Sequence, residues 1–190
     1  MSNFLTDIEN CLTVLQNGGI ILYPTDTIWG IGCDATNAEA VAKIYALKKR
    51  AEEKSMIVLL ANEKEIIRYI TQPDFTIFDY LKDVKKPTTV IYDGAIGLAE
   101  NVVNIDGTVA IRITKDEFCN HLIKRFKKPI VSTSANISGS ASPLIFPHIS
   151  PDIKNGVDYI VQHRQDDLLA ASPSAIIRWN KDGLPTTIRP

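Results

Sequence analysis

Ile8, Cys11, Leu12 and Leu15 recur at helical spacing and stop at Asn17-Gly18-Gly19, so a helix opens the pattern. Residues 20–23 read as a short buried strand running into Pro24. Asn37 caps a second helix that carries Val41, Ile44, Tyr45 and Leu47 and ends in basic residues, which suit its dipole. Residues 56–60 form the next strand, and Asn62 caps a helix with Ile66, Ile67 and Ile70. A short helix with Phe75, Phe78 and Leu81 precedes Pro87. Strands follow at 88–92 and 108–113, then an amphipathic helix with Phe118, Leu122, Ile123 and Phe126, then a strand at 130–134. A short helix near 152–155 and strands near 159–161 and 174–179 complete the order. Helices and strands interleave without strict alternation. The fold class is therefore α/β, a mixed sheet covered by helices rather than a purely parallel one.

Composition narrows this picture in three places. At 190 residues the chain is expected to be one domain, 1–190, burying roughly 70% of its unfolded surface, enough for a core and an internal cleft. A net charge of −1 argues against avid, sequence-independent nucleic-acid binding, so any RNA contact would be local and weak. Cys11, Cys33 and Cys119 form no C-x-x-C and read as small buried thiols in a reducing compartment. The apolar runs are too short to span a membrane, and the first residues lack a secretory pattern. The expected location is cytoplasmic.

The chemistry gathers in two polar clusters far apart in sequence: Lys48-Lys49-Arg50 with Lys54-Ser55, and the run from Ser132 through Asn136 to Ser138-Gly139. Cations behind a helix end and a hydroxyl-rich loop behind a strand are what a polyphosphate site needs. Neither is a P-loop. If the last strand runs extended, Ser132, Ser134 and Asn136 share one parity. In 108–113, Thr108, Ala110 and Arg112 face opposite Val109, Ile111 and Ile113. An Arg on an otherwise core-like strand calls for an anionic answer, unless the strand is an edge in solvent. Thr25 and Thr27, after Pro24, form a further polar ledge with Asp26 as a turn cap. Each cluster alone also reads as an ordinary turn or helix end; together, at strand ends, they point to one crevice. The three histidines have no metal-ligand spacing, Trp29 and Trp179 read as packing anchors, and no covalent nucleophile is marked.

These motifs, with Thr108-x-x-x-Arg112 and Ile188-Arg189, resemble the YrdC family of threonylcarbamoyl-AMP synthases from about residue 8 onward. The resemblance implies a twisted open sheet around a large polar cavity. It also implies that L-threonine, bicarbonate and ATP, with Mg²⁺ on the phosphates, yield threonylcarbamoyl-AMP and pyrophosphate. Partner proteins would use that product to modify the tRNA adenosine beside the anticodon. Carried onto this chain, it puts Lys48, Arg50 and Ser134 at the reacting centre and Thr27, Arg112, Ser134 and Ser174 around threonine. Arg50, Lys54, Thr108, Ser132, Asn136, Leu144 and Arg189 would surround ATP. Where the family has a Trp-Pro-Gly-Pro approach to a threonine, this chain has Lys85-Lys86-Pro87-Thr88-Thr89. Two other readings remain open: a non-catalytic RNA-binding module and a carbamoyl-transfer maturation factor.

Overall fold

The computed structural model describes residues 4–50, 56–180 and 183–190. The first helix, α1 (Leu5–Gln16), buries Ile8, Cys11 and Leu15. It packs on α4 (Glu117–Phe126), where the Phe4 and Phe118 rings meet edge to face at 5.6 Å. Asp116 caps α4, its carboxylate accepting the Cys119 N–H at 2.8 Å. Asn37 does the same for α2 (Ala38–Lys48), accepting from Ala40 at 3.1 Å. The expected helix after Asn62 is a 3₁₀ segment, Glu63–Arg68. Its cap holds, with the Asn62 side chain accepting from Lys64, but only Ile66 of this segment is buried. One buried anchor gives little reason to extend into a full helix. The helices α3 (Thr76–Asp83) and α5 (Pro151–Asn155) fall where the pattern put them.

Among the described residues nine strands form one sheet. In chain order they are β1 (Ile21–Tyr23), β2 (Gly30–Gly32), β3 (Ile57–Leu60), β4 (Thr88–Tyr92), β5 (Val109–Ile113), β6 (Ile130–Ser134), β7 (Tyr159–Ile160), β8 (Ala175–Trp179) and β9 (Pro185–Arg189). Their order across the sheet is β7-β1-β2-β6-β3-β5-β4-β8-β9. The pairs β1/β7, β3/β5 and β4/β8 are parallel and the rest antiparallel, so the sheet is mixed. The hydrophobic pattern missed β2 and β9. The first is Gly-Ile-Gly and carries no alternation, and the second, Pro-Thr-Thr-Ile-Arg, is a mostly exposed edge. Gly32 is there for space: a Cβ would stand 2.6 Å from Tyr23 Cε1 and 2.6 Å from the Val131 carbonyl.

Register decides which side chains share a face, since directly paired residues point the same way. Leu59 pairs with Arg112, Thr89 with Ile176 and Ile176 with Arg189, and the β4/β5 register, Val90 opposite Ile111, continued by one residue sets Thr89 opposite Arg112. Ser134 lies opposite Gly30, and Ser132 opposite Ile57. One face of the sheet therefore gathers guanidinium and hydroxyl groups drawn from four strands, β4, β5, β6 and β9. No described helix is long and apolar enough to cross a membrane.

Candidate active site

On that face lies a hollow of about 190 Å³. Its polar walls include Thr27, Arg50, Arg112, Ser132, Ser134, Ser174 and Arg189, with Trp29, Gly30, Met56, Ile57 and Ile176 among the other lining residues. Residues separated by more than a hundred positions in sequence thus meet in one place. Arg50 arrives through the end of α2: Lys49 takes a left-handed conformation, φ 49°, and the Arg50 N–H donates to the Tyr45 carbonyl at 3.0 Å. That turn points the chain off the helix axis and toward the sheet.

Arg112 is 3% exposed on an interior strand, which disposes of the edge-strand alternative. Its Nη2 lies 3.0 Å from Asp26 Oδ1. Yet Nε and Nη2 of Arg112 and Oδ1 of Asp26 are buried and none makes a hydrogen bond. The pair is close enough to balance charge but misaligned for a directional bond. Arg189 on β9 donates from Nε and Nη2 to the Ser174 carbonyl, at 3.1 and 2.8 Å. Burial, and then the charge of Arg112, pull its pKa down. Burial likewise lowers that of Arg50. Guanidinium groups held in mutual repulsion and partly desolvated favour an anion between them.

The hydroxyls are ordered. Thr25 donates to the Ile28 carbonyl at 2.9 Å and accepts the Thr27 N–H at 3.0 Å, and the two Thr hydroxyls share a hydrogen bond of 2.9 Å. Ser174 shares one of 2.9 Å with Thr89, a fully buried residue beneath the hollow. Thr89 was not singled out as a site residue. Only the β4/β5 register reveals that it stands opposite Arg112.

Other residues named from sequence lie beyond the walls. Lys48, 1% exposed, donates to the main-chain carbonyls of Ser134 and, at 2.6 Å, of Asn136. Burial first, and Arg50 second, bring its pKa down from 10.5 to about 8. Asn136 Oδ1 accepts from Ser134 Oγ at 2.5 Å, and its Nδ2 donates to the Ile137 and Ser140 carbonyls. Both residues thus brace the loop after β6. Thr108 closes a turn, donating to Asp106 and accepting from Asn104, four residues before Arg112. Leu144 lines a small niche that shares Thr27 and Trp29 with the hollow. Lys54 lies outside the described residues. Trp29 is buried against Phe146, with ring centroids 4.7 Å apart, and is both packing anchor and wall.

A larger cavity, about 380 Å³, opens beside Asp26 between apolar walls of Phe78, Leu81, Val84, Pro87 and Ile113. Its cations, among them Lys85, Lys86 and Lys115, are exposed, and it gathers no row of hydroxyls. The groups suited to a densely charged anionic ligand therefore gather in the smaller hollow.

A mixed sheet bearing a cationic, hydroxyl-walled hollow defines a binder of small anionic molecules. The Sua5/YciO/YrdC family model, described as telomere recombination, matches residues 13–190, and the chain belongs to that family. The threonylcarbamoyl-AMP synthase of Vibrio parahaemolyticus is 34% identical over 143 residues, 73% of this chain and 75% of that protein. The enzyme of the same name from Pseudoalteromonas translucida is 29% identical over 157 residues, 81% and 84% of the two chains. Among solved structures, P. abyssi Sua5 complexed with L-threonine superposes with a TM-score of 0.85 at 23% identity, covering 97% of this chain. The chain spans about half of that longer protein, 54% of its length. This likeness establishes the shared fold.

Proposed function

We propose that the chain is an L-threonylcarbamoyladenylate synthase, a nucleotidyltransferase that converts L-threonine, bicarbonate and ATP into threonylcarbamoyl-AMP and pyrophosphate. The observation that carries this reading is the meeting of Arg50, Arg112 and Arg189 with Thr27, Ser134 and Ser174 around one hollow. The names of the curated relatives agree with it. Arginines facing a hollow, rather than strung along an open ridge, favour an enzyme over an RNA-binding module.

In this reading Arg112 takes the threonine carboxylate, using donors that have no other hydrogen-bond partner. Thr27 and Ser174 border the amino-acid side chain, and Arg50 and Arg189 offset the phosphate charge. The neutral threonine nitrogen adds to the carbon of CO₂ supplied by bicarbonate, and a proton leaves the nitrogen. An oxygen of the resulting carbamate attacks the α-phosphorus, and the bond to the pyrophosphate oxygen breaks. The carbamate is short-lived in water, so enclosure and alignment contribute most of the acceleration.

Ser132 borders the nucleotide side, Leu144 lines the adjoining niche, and Asn136 and Lys48 brace the loop after β6 rather than touching reacting atoms. Among the described residues no three carboxylate, thiol or imidazole groups converge as metal ligands. The hollow itself offers guanidinium and hydroxyl groups, which do not suit a protein-held Mg²⁺, so the ion is assigned to the nucleotide as part of the substrate. The product would pass to proteins that modify the tRNA adenosine beside the anticodon. Pyrophosphate release measured with threonine or bicarbonate omitted tests the proposal. Release should require both, and release indifferent to either would overturn it.

A further inference from the structure

The cavity of about 380 Å³ lies behind the hollow, on the reverse face of the sheet. Side chains alternate along β4 and β5, so Thr89 and Arg112 stand on the hollow's side while their neighbours Thr88 and Ile113 line the cavity. Its outer wall is α3, whose apolar side is only partly packed. Of the eight residues of α3, Ile77 and Phe78 alone are buried. Leu81 and Val84 stay half-buried and, with Pro87 and Ile113, line the cavity instead of closing it. Apolar walls around a space of this size, with a few polar groups at the edge, are the common form of a small-molecule site.

The rim supplies those polar groups. Lys85, Lys86 and Lys115 are exposed there and make no ion pair among the described residues. A fourth cation, Lys82, is already bound to Asp79. Of the two carboxylates in the lining, Asp26 is matched by Arg112 at 3.0 Å, which leaves Glu63 alone against three ammonium groups. This positive excess stands out in a chain whose net charge is −1. The lining holds no arginine, and the Thr88 hydroxyl is committed to the Lys86 carbonyl. A phosphate or nucleotide would find no directional donors here, only point charges beside an apolar slot.

We propose that this cavity is a second ligand site, for an amphipathic monoanion: an aromatic or short-chain aliphatic acid. Its apolar body lies between α3 and the sheet, and its acid group sits among Lys85, Lys86 and Lys115. The site shares β4, β5 and Asp26 with the hollow but does not depend on the reaction assigned there.

Two probes test it: 8-anilinonaphthalene-1-sulfonate, whose emission brightens in apolar surroundings, and N-phenyl-1-naphthylamine, the same rings without the sulfonate. Fluorescence titration of the native chain should show saturable binding of one sulfonate probe per chain, tighter than that of the neutral probe. Lys85→Gln with Lys86→Gln should weaken the sulfonate about three- to tenfold, the summed worth of two exposed ionic contacts, and leave the neutral probe unchanged. Leu81→Trp, which fills the cavity from α3, should weaken both probes by about tenfold or more. Val84→Phe takes its place if that variant does not fold. Arg50→Ala, in the hollow, should change neither. Loss of the sulfonate probe in a folded Arg50→Ala chain, with binding intact in Leu81→Trp, would assign it to the hollow and overturn the proposal. Equal affinity for the two probes, binding that never saturates, or an unchanged sulfonate affinity in the double lysine variant would overturn it too. So would a signal lost as the chain self-associates, which would give this face to a second copy.

Discussion

Arg50 and Lys48, two residues apart, divide the work at the end of α2. Arg50 lines the hollow, whereas Lys48 is buried beside it and holds the main-chain carbonyls of Ser134 and Asn136. Removing a preorganised charge-stabilising donor typically costs on the order of 10²–10³ in turnover. Arg50→Ala should lose about that much pyrophosphate release while keeping its melting temperature; undiminished turnover in a folded variant would take Arg50 out of the mechanism. Lys48 makes a different prediction. Its folded pKa of about 8 lies below the 10.5 of an unburied lysine, chiefly through desolvation. Between those values the unfolded chain holds a proton that the folded chain has released, so stability due to this residue grows as pH rises through that window. Below about pH 8 both states are charged and the burial penalty is constant. Urea unfolding of the native chain and Lys48→Met should therefore show a stability difference, native minus variant, that climbs between pH 8 and 10.5. A flat difference would mean that the ammonium is not desolvated.

At the scale of elements, β2 shows how little sequence pattern a necessary strand can carry. Gly30 and Gly32 offer no alternation to read, but at Gly32 the packing of the sheet leaves no room for a side chain. A Cβ on Gly30 would come 3.2 Å from Ser132 Oγ in the hollow, and one on Gly32 would press on Tyr23 and Val131. Gly32→Ala should cost about 1–3 kcal/mol in denaturant unfolding through overpacking, and a neutral effect would place β2 in another register. The helices α1, α2 and α4 were legible because each repeats apolar residues at helical spacing; α1 also stops at Asn17-Gly18-Gly19, and α2 starts at the capping Asn37. The alternation in β5 placed Arg112 opposite its apolar neighbours, and the shared parity held for Ser132 and Ser134, but β6 ends at Ser134 and Asn136 turns into the following loop instead of continuing the row. What could not be read was pairing. That Thr89 lies opposite Arg112, or Arg189 opposite Ile176, depends on which strands adjoin and in what register, and those contacts join distant parts of the chain. The same limit hid the Asp26–Arg112 pair: Asp26 reads locally as a turn cap, and its partner is far along the sequence.

At the scale of the molecule, the sheet works as a frame that brings short polar ledges from separate strands to one face. Their order along the chain matters less than their register across it. The near-neutral net charge conceals the local excess, since the arginines of the hollow are offset by acids elsewhere on the surface. A pocket of guanidinium and hydroxyl groups can align an amino acid with a triphosphate without a buried base of unusual pKa or a covalent nucleophile. The most direct measurement is mass spectrometry of the nucleotide product formed from ATP, L-threonine and ¹³C-bicarbonate. The proposed activity predicts an adduct of AMP, threonine and one carbonyl carbon that carries the label. AMP or ADP alone, or an adduct without the label, would contradict it.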